Sequence, residues 1–514
     1  MLVKTYGSAV YGVEAITITV EVNVNDKGLH YFIVGLPDNA VKESLQRVES
    51  AIKSNEYYMP RTKLVVNLAP ADIKKSGSAF DLPIAIGILG ATGQIENPER
   101  LSRYVIMGEL SLDGKINHIK GALPIAIQAK KEGYAGLILP TSNAKEAAMV
   151  NGLDVFGVNH LNEVVGFFKD EHSLISTMVN IQEEFAQSQN ESDIDFCDVK
   201  GQENIKRALE IAAAGGHNAI LIGPPGAGKT MLAKRLPTIL PPLSIQEALE
   251  TTKIHSVAGK LPVNATLVCR RPFRSPHHTI SDVALVGGGG NPQPGEISLA
   301  HNGVLFLDEL PEFKRTVLEV MRQPMEERKV TISRAKVALD FPASFMLIAS
   351  MNPCPCGYFN HPERECTCPP GAVQKYLNKI SGPLLDRIDL HVEVTPVAYN
   401  ELSSLLTFEK SECIRSRVIK ARQLQEERYK KHPGIYANAQ MSSKMLKDIC
   451  HINAAGQNLL KTAMQKLNLS ARAYDRILKV SRTVADLSCS SDINPEHLAE
   501  AIQYRSLDRE GWGA

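Results

Sequence analysis

The chain has 514 residues, of which 44% are hydrophobic and 22% charged, and its formal net charge is +1. This length exceeds what one hydrophobic core usually serves, so we expect about two to four domains. The ordinary composition excludes a disordered or fibrous protein, and the near-neutral charge leaves a nucleic acid only a local basic patch to bind.

Residues 1–167 mix strand and helix patterns. Apolar and polar residues alternate over 1–24, for example at 16–22, which predicts a strand at the start of the chain rather than a signal peptide. Segment 39–54 has the pattern of a helix and 63–68 that of a strand. The longest apolar stretch, 82–91, is too short to span a membrane and is interrupted by proline and glycine. We therefore expect a cytoplasmic protein without a membrane partner.

Composition divides the remaining chain into three parts. Segment 168–197 is polar and acidic, as is typical of a linker. Residues 198–395 alternate strands and helices, which predicts a parallel sheet. Residues 396–514 have helical periodicity, in segments 412–432, 442–450, 454–467, 471–487 and 495–503. The predicted fold is α/β, with an α+β front domain, a parallel-sheet core and a helical C-terminal domain.

The strongest motif is a glycine-rich loop between an apolar strand and a helix. The loop consists of Gly223, Pro224, Pro225, Gly226, Ala227, Gly228, Lys229 and Thr230. Its glycines allow backbone N–H groups to turn toward phosphate oxygens, Lys229 reaches the β- and γ-phosphates, and the Thr230 hydroxyl ligates Mg²⁺. A chance match in a glycine-rich turn is the alternative, and the complete pattern in this context disfavours it. The loop predicts binding of ATP with Mg²⁺.

Two more apolar strands end in polar residues. The strand at 303–307 is followed by Asp308, which could hold Mg²⁺ through water, and by Glu309, which could polarise the attacking water. The alternative is an acidic strand end that caps the following helix. The strand at 344–350 leads to Asn352, whose side chain could sense the γ-phosphate and position water.

Two arginines could complete this site. Arg387 lies between Asp386 and Asp389 and could reach the γ-phosphate of a neighbouring subunit as an arginine finger, or it could form a surface ion pair. Arg472 begins a helix in the C-terminal region and could be a second phosphate sensor.

Two basic clusters are candidate contacts with DNA. Segment 330–340 has the pattern of a hairpin with Arg334 and Lys336 between its strands, where they could meet a phosphate backbone inside a ring. The second cluster consists of Arg270, Arg271, Arg274, His277 and His278. The alternative for both clusters is intersubunit salt bridges or a solvated face. Helix-turn-helix and zinc-finger spacings are missing from the sequence, so we do not expect sequence-specific binding.

Four of the nine cysteines form two close pairs, which are Cys354 with Cys356 and Cys366 with Cys368. Four thiolates in this arrangement suit a tetrahedral, structural Zn²⁺, although the C-x-C spacing is tighter than the common C-x₂-C. Free thiols and redox pairing are the alternatives, and a disulfide is disfavoured in the cytoplasm.

Together these motifs resemble the magnesium-chelatase-like AAA+ proteins, and within them the YifB/ComM group. The resemblance spans essentially the whole chain and is carried by segments 223–230, 271–278, 295–309, 352–357 and 381–389. It implies a hexameric ring ATPase that moves on DNA without sequence specificity. The implied role is branch migration, a helicase activity used when incoming DNA is integrated during natural transformation.

The resemblance also gives each motif a role. The roles are Walker A for 223–230, Walker B for Asp308 and Glu309, sensor 1 for Asn352, the arginine finger for Arg387 and sensor 2 for Arg472. It further implies that 198–202 lies near adenine, that 270–300 forms the insert in helix 2, and that 327–342 forms the hairpin before sensor 1.

Residues 1–167 resemble the Lon-protease-like (S5-type) domain. The segments that carry this resemblance are 75–83 and 108–116. A Lon-type protease needs a serine nucleophile and a lysine base, and Ser78 lies near the nucleophile position. The expected lysine positions carry Leu123 and Ile125, which cannot accept a proton, so Lys120 is the remaining candidate base. We therefore expect a docking, oligomerisation or DNA-handling module rather than a protease.

Three other functions compete with a DNA motor. The motor subunit of a metal chelatase is one, but the front domain departs from it and the D-x-S-x-S motif of its partner subunit is missing from the sequence. An ATP-dependent protease is opposed by the missing lysine. A scaffold that binds ATP without turnover is opposed by the intact Asp308–Glu309 pair.

Overall fold

The computed structural model describes residues 1–25, 28, 30–171, 173–188, 194–262, 265–290, 292–334, 337–361, 363–396, 408–432, 434–467 and 469–505. Across these ranges, every helix is too short or too polar to traverse a lipid bilayer.

The front part of the chain forms a seven-stranded mixed sheet with helices packed against it. The strands of this part, including two that lie outside the sheet, are β1 (Leu2–Tyr11), β2 (Glu14–Asn25), β3 (Tyr31–Val34), β4 (Lys63–Ala69), β5 (Tyr104–Ile106), β6 (Glu109–Leu110), β7 (Ile116–Asn117), β8 (Gly136–Pro140) and β9 (Asp154–Val158). Its helices are α1 (Asn39–Ser54), α2 (Asp81–Ala91), α3 (Ala122–Lys131), α4 (Thr141–Ala147) and α5 (Leu161–Phe168). The strand order is β3-β4-β2-β1-β5-β8-β9, and β6 pairs with β7 outside this sheet.

The start of the chain is a hairpin, which corrects the prediction of one strand. Strands β1 and β2 pair antiparallel from Leu2↔Asn23 to Tyr11↔Glu14. The chain reverses at Gly12, whose φ of +67° is in the left-handed region that favours glycine. The longest apolar stretch forms α2, in which every residue is buried, so its hydrophobicity reflects a core position.

The second sheet is parallel, as the alternating pattern predicts. The part of the chain that contains this sheet follows α6 (Ile181–Ser188) and begins with helix α7. The strands are β10 (Ala219–Ile222), β11 (Phe273–Arg274), β12 (Gly287–Gly288), β13 (Gln293–Pro294), β14 (Val304–Leu307), β15 (Lys329–Arg334), β16 (Val337–Pro342), β17 (Met346–Met351) and β18 (Leu390–Glu393). The helices are α7 (Glu203–Gly215), α8 (Lys229–Arg235), α9 (Ile245–Val257), α10 (Asp282–Val286), α11 (Glu296–Leu299), α12 (Arg315–Glu319), α13 (Arg322–Glu327), α14 (Ala372–Leu377) and α15 (Gly382–Leu385). The sheet order is β11-β14-β17-β10-β18, while β12–β13 and β15–β16 form separate hairpins.

The C-terminal region is helical, and the five predicted segments are confirmed. Its helices are α16 (Ser411–Tyr429), α17 (Ser443–Ile449), α18 (Ala454–Lys466), α19 (Ala471–Leu487) and α20 (Pro495–Gln503). These helices share one apolar core with α7 and with strands of the parallel sheet. The buried His217 links the two regions, because its ring nitrogens contact Asp389 Oδ2 at 3.1 Å and Thr483 Oγ1 at 2.8 Å.

The front part packs on the parallel-sheet part through α3 and α9. Leu123 is fully buried in a small apolar cluster with Leu243 and Ala248. A Cβ added to Gly259 would lie 2.7 Å from Lys120 Cε, so the lysine side chain covers this glycine. The positions where a Lon-type lysine was expected therefore lie at or beside an internal packing interface.

Candidate active site

Three neighbouring strands of the parallel sheet end at the predicted site residues. Gly223 follows β10, Asp308 follows β14, and Asn352 follows β17. Parallel strands place their carboxyl ends at one edge of the sheet, which is where such folds bind ligands. Lys229 Nζ lies 3.1 Å from Asn352 Oδ1, and Thr230 Oγ1 lies 2.7 Å from Asp308 Oδ2. The structure therefore brings the three predicted motifs together.

Glycines shape the loop between β10 and α8. Gly226 and Gly228 have φ of +78° and +82°, values that other residues rarely adopt. A Cβ on Gly223 would collide with the carbonyl oxygen of Val394 on the neighbouring chain segment. Beside the loop, the Gln202 amide donates to the Ala227 carbonyl at 2.9 Å, so the segment 198–202 is tied to this loop.

The Lys229 ammonium lies inside the loop and is held by oxygen atoms. It donates to the carbonyls of Gly223 and Pro224 at 2.7 and 2.9 Å, as well as to Asn352. Burial lowers the pKa of Lys229 below its ordinary value, while Asp308 and Glu309 act in the opposite direction. A partly desolvated cation in a loop of this shape fits an anionic phosphate.

The oxygen atoms around Asp308 fit a magnesium ion. Thr230 donates to one carboxylate oxygen, and Ser350 donates to the other. Hydroxyl and carboxylate oxygens are the ligand type that Mg²⁺ prefers. Ser350 is a site residue that the sequence analysis missed, and its only sequence signal is its position on β17, two residues before Asn352.

Glu309 leaves β14 in an unusual conformation. Its φ and ψ are 54° and 52°, the left-handed region that non-glycine residues rarely occupy. The Glu309 carboxylate is 57% exposed, and one oxygen lies 3.7 Å from His278 Nδ1. His278 also packs edge-on against Phe313 and lies beside His277, with ring centroids 4.1 Å apart. The segment after β11 therefore reaches the carboxylate, a contact that the sequence analysis missed.

A cleft of about 530 Å³ opens beside Glu309 and Asn352. Helix α14 forms its other wall and contributes Lys375 and Tyr376. Burial raises the pKa of Tyr376 to about 12, which keeps the phenol neutral. The cleft leaves space for water beside the two polar side chains.

The two arginines predicted to complete the site are engaged elsewhere in the chain. Arg387 is buried, with Nη2 2.6 Å from a Glu326 carboxylate oxygen and Nη1 2.5 Å from the Pro383 carbonyl. Arg472 is 66% exposed and pairs with Asp386 at 3.0 Å. Neither arginine has a hydrogen bond to the phosphate loop within the part of the chain that the structure describes, so their roles stay predictions.

The two candidate DNA contacts differ in what the structure describes. Arg271 pairs with Glu247 at 3.2 Å and also donates to carbonyls, while Arg274 pairs with Glu296 at 2.6 Å. DNA contact by these arginines stays a prediction, and it would compete with ion pairs inside the chain. The predicted hairpin is present as β15–β16. Lys336 and the Arg334 side chain lie outside the described residues.

The four paired cysteines form one cluster. Their sulfur atoms all lie within 4.8 Å of one another, and three of the Sγ–Sγ distances are 3.3, 3.6 and 3.8 Å. A tetrahedral ion with Zn–S bonds of about 2.3 Å needs sulfurs about 3.8 Å apart. Burial opposes ionisation of Cys356, but hydrogen bonds from the Tyr358 N–H and the Cys354 thiol lower its pKa to about 5. The cluster is compatible with structural zinc.

The predicted nucleophile region of the front part lacks a free lysine partner among the described residues. Ser78 donates to the Glu109 carboxylate. Lys75 is fully buried, burial lowers its pKa, and its ammonium donates to the Pro70 carbonyl. Ile125 is buried as well. The serine therefore contacts a carboxylate rather than a lysine.

Protein-family models of magnesium chelatase match three parts of the amino-acid sequence. "Subunit ChlI of Mg-chelatase" matches residues 20–143, "Magnesium chelatase, subunit ChlI" matches 195–402, and the model of its C-terminal region matches 408–505. The chain is 42% identical to competence protein ComM of Haemophilus influenzae, covering 99% of this chain and 98% of that protein.

Two other relatives extend this similarity. Protein YifB of Salmonella typhimurium is 43% identical, covering 98% of this chain and 96% of that protein. Lon protease 2 of Bacillus subtilis is 32% identical in an alignment that covers 27% of this chain and 26% of that protein. With the parallel sheet and the C-terminal helices, these matches confirm the predicted fold class.

Proposed function

We propose, on the premise that this chain belongs to the YifB/ComM family of magnesium-chelatase-like AAA+ proteins, that it is an ATP-hydrolysing motor that translocates on DNA. Its cellular role is then branch migration in recombination during natural transformation, in line with the name of its competence-protein relative. The observation that carries the proposal is the meeting of Lys229, Asp308 and Asn352 at one edge of the parallel sheet.

In this proposal each residue of the edge has a chemical task. Lys229 and the loop amides bind the β- and γ-phosphates, where the ammonium exchanges loop carbonyls for phosphate oxygens. Thr230 and Asp308 hold Mg²⁺, which offsets negative charge on the phosphate oxygens. Glu309 accepts a proton from the attacking water, and Asn352 orients that water beside the γ-phosphate.

We assign Arg387 and Arg472 to charge stabilisation. Arg387 acts on the nucleotide of a neighbouring subunit, so the active unit is a closed ring, and the family supports a hexamer. Arg472 acts as sensor 2 from the start of α19. Each must first leave an intrachain ion pair, with Glu326 and Asp386 respectively.

We assign DNA contact to the β15–β16 hairpin through Arg334 and Lys336, with Arg271 and Arg274 as secondary contacts. Phosphate contacts of this kind do not depend on base sequence and weaken as salt rises. Replacing Arg334 and Lys336 with Ala should lower DNA stimulation of the ATPase while leaving nucleotide affinity unchanged. An equal loss of both properties would make the hairpin structural.

One experiment tests the motor directly. ATP hydrolysis and strand displacement on forked DNA are measured for the wild type, Lys229→Ala and Glu309→Gln. We expect DNA to stimulate the wild-type ATPase and salt to reduce that stimulation. Both variants should lose turnover, but Glu309→Gln should still bind ATP because the phosphate loop and the ligands of Mg²⁺ remain.

A DNA-independent ATPase across a range of salt concentrations would favour a second function. The family models that match this chain describe a magnesium-chelatase subunit. In that case the chain is a chelatase-type motor that remodels a protein partner, and forked DNA would stay unseparated.

We also propose structural zinc at the four cysteines and a front domain that does not cleave proteins. Metal analysis of the purified protein checks the first assignment, and about one zinc per chain is expected. The second assignment is supported by Leu123, which occupies the base position and is buried against the parallel-sheet part.

A further inference from the structure

The segment that carries the four cysteines lies directly on the phosphate loop. Gly357 follows the first pair of cysteines and has a φ of +86°. A Cβ added there would lie 2.5 Å from Cδ of Pro225, well inside contact distance. Only a glycine therefore allows the cysteine segment to approach Pro225 this closely.

The same segment is joined to the site at both ends. Cys354 comes two residues after Asn352, whose side chain accepts a hydrogen bond from Lys229. After Cys368, the chain leads into α14, which carries Tyr376 in the wall of the cleft. Any force that fixes the cysteine segment therefore acts on Asn352, on Pro225 and on the cleft wall.

The described residues of 358–372 offer little apolar packing to provide that force. All of them are exposed or only half-buried. The described residues of 355–371, which do not include residue 362, form neither helix nor strand. The compact shape is centred instead on the four sulfurs, of which Cys354 is completely buried. A metal ion that joins four thiolates restrains such a segment without a hydrophobic core.

We propose that Zn²⁺ bound by Cys354, Cys356, Cys366 and Cys368 is a brace for the nucleotide site. The bound ion keeps the Gly357 backbone in contact with Pro225 and fixes the position of Asn352. The affinity for nucleotide therefore depends on whether zinc is present. This inference rests on the zinc assignment made above, but it does not require that the motor acts on DNA.

The test compares two glycines of the same segment. Gly357 and Gly371 both have left-handed backbones, with φ of +86° and +76°, but a Cβ on Gly371 meets nothing within 4 Å. Gly357→Ala and Gly371→Ala thus share a similar backbone penalty, and only the first disturbs Pro225. For each variant, zinc content, thermal melting and the Kd for a fluorescent ADP analogue with Mg²⁺ are measured without DNA.

We expect Gly357→Ala to keep its zinc and to weaken nucleotide binding on the order of tenfold or more, because small displacements in such sites are costly. Gly371→Ala should stay within about twofold of the wild type, since its contacts are unchanged. Equal affinities for the two variants, with zinc retained in both, would show that the segment does not brace the loop.

A second arm removes zinc from the wild-type protein and restores excess Mg²⁺ before the nucleotide is added. The Kd should rise and should return to its starting value with one equivalent of Zn²⁺ but not with additional Mg²⁺. This arm is decisive if Gly357→Ala fails to fold. An unchanged Kd after zinc removal, or a wild-type protein that carries no zinc, overturns the proposal. Because the Kd is measured without DNA, this result does not depend on whether DNA stimulates ATP hydrolysis.

Discussion

Glu309 is contacted by the adjacent Asp308 and by His278, which is distant in the sequence. Its left-handed backbone costs about 1–3 kcal/mol, and such strain persists only where the surroundings fix it. Asp308 accepts the Glu309 N–H at 3.1 Å, and His278 approaches the carboxylate from the segment after β11. The position of this carboxylate is therefore set partly by a segment that the sequence analysis assigned to DNA binding.

The contact predicts a positioning role for His278. Replacing His278 with Ala should lower kcat of ATP hydrolysis on the order of threefold to tenfold while leaving nucleotide affinity unchanged, because the ring contacts Glu309 rather than the phosphate loop. His278→Gln keeps a hydrogen-bond donor and should recover part of the loss. Steady-state kinetics and nucleotide titration check both expectations.

His277 provides the matched control. Its ring lies beside that of His278 at an interplanar angle of 34° and contacts Thr279 at 2.9 Å, so His277→Ala removes a neighbouring imidazole without touching the carboxylate. A similar fall in kcat for both alanine variants would mean that the two rings only support the local fold. Loss of nucleotide affinity in His278→Ala would point to the same conclusion.

The candidate site residues that the structure brings together share one property. Lys229, Asp308 and Asn352 each follow an apolar strand closely, so local pattern and parallel topology suffice to bring them together. The contacts of Ser350 with Asp308 and of His278 with Glu309 were not predicted, because they join segments that are distant in the sequence. For the same reason the sequence does not show which carboxylates pair with the arginines.

The carboxylate partners of Arg271 and Arg274 affect how readily these arginines could bind DNA. Charge alone marks them as a basic patch, but Glu247 and Glu296 reach them from α9 and α11. Partly buried pairs of this kind hold a guanidinium in place, and a phosphate must compete with the carboxylate for it. DNA contact at either arginine would therefore require that its ion pair inside the chain be opened.

At the scale of elements, the front hairpin supports the β15–β16 hairpin. The β1–β2 turn reaches the parallel-sheet part, where Val13 packs against an apolar cluster that includes Leu339 of β16. A Cβ on Gly12 would lie 3.5 Å from Leu339 Cδ2, an ordinary van der Waals contact. One end of the front sheet thus touches the hairpin to which we assign DNA contact.

This contact predicts that the front domain influences DNA stimulation. Val13→Asp places a charge in a half-buried apolar contact and should displace the hairpin. We expect DNA stimulation of the ATPase to fall at least about threefold, with basal hydrolysis close to the wild-type rate, because the phosphate loop is untouched. ATPase assays with and without single-stranded DNA measure both quantities.

Val34 offers the control on the same sheet. It is 45% exposed on β3, so Val34→Asp introduces the same charge where water can solvate it. Equal DNA stimulation in the two variants would show that the turn does not support the hairpin. A lower melting temperature in Val13→Asp with unchanged stimulation would make the contact purely structural.

Element boundaries were predictable where capping residues mark them. Helix α19 begins after Ser470, whose hydroxyl accepts the Ala473 N–H, and α20 begins at Pro495 after Asn494. The reversal between β1 and β2 was missed, because an alternating pattern continues through a tight turn and only Gly12 marks it. Capping residues in the sequence therefore predict the ends of these helices, but the alternating pattern does not predict that β1 and β2 pair with each other.

At the scale of the whole molecule, the front part is joined to the parallel-sheet part at the position where a Lon-type lysine was expected. Buried Glu146 accepts hydrogen bonds from the Leu123 N–H at 2.9 Å and from the Ser256 hydroxyl, so it joins the front part to α9. A lysine base at position 123 would have to share this dry interface with the apolar cluster around it. The front sheet is thereby linked to the parallel-sheet part, which supports the proposal that the front domain does not cleave proteins.

The proposed ring makes a further prediction, because Arg387 and Glu309 would act on one nucleotide from different subunits. Glu309→Gln and Arg387→Ala should each abolish turnover when assembled alone. Mixed in equal amounts, they should recover about a quarter of wild-type hydrolysis, since a random ring has both intact groups at one interface in four. ATPase rates across mixing ratios, after subunit exchange, measure this recovery.

The ion pair between Arg387 and Glu326 supplies the control that separates catalysis from folding. Glu326→Ala breaks the same 2.6 Å pair but leaves the guanidinium available. If Arg387 is a finger, this variant keeps turnover near the wild-type rate, because the nucleotide needs the arginine and not its resting partner. If Arg387 only stabilises the subunit, Glu326→Ala shares the defect of Arg387→Ala. Mixtures that recover no activity would place both groups in one subunit and remove the need for a ring.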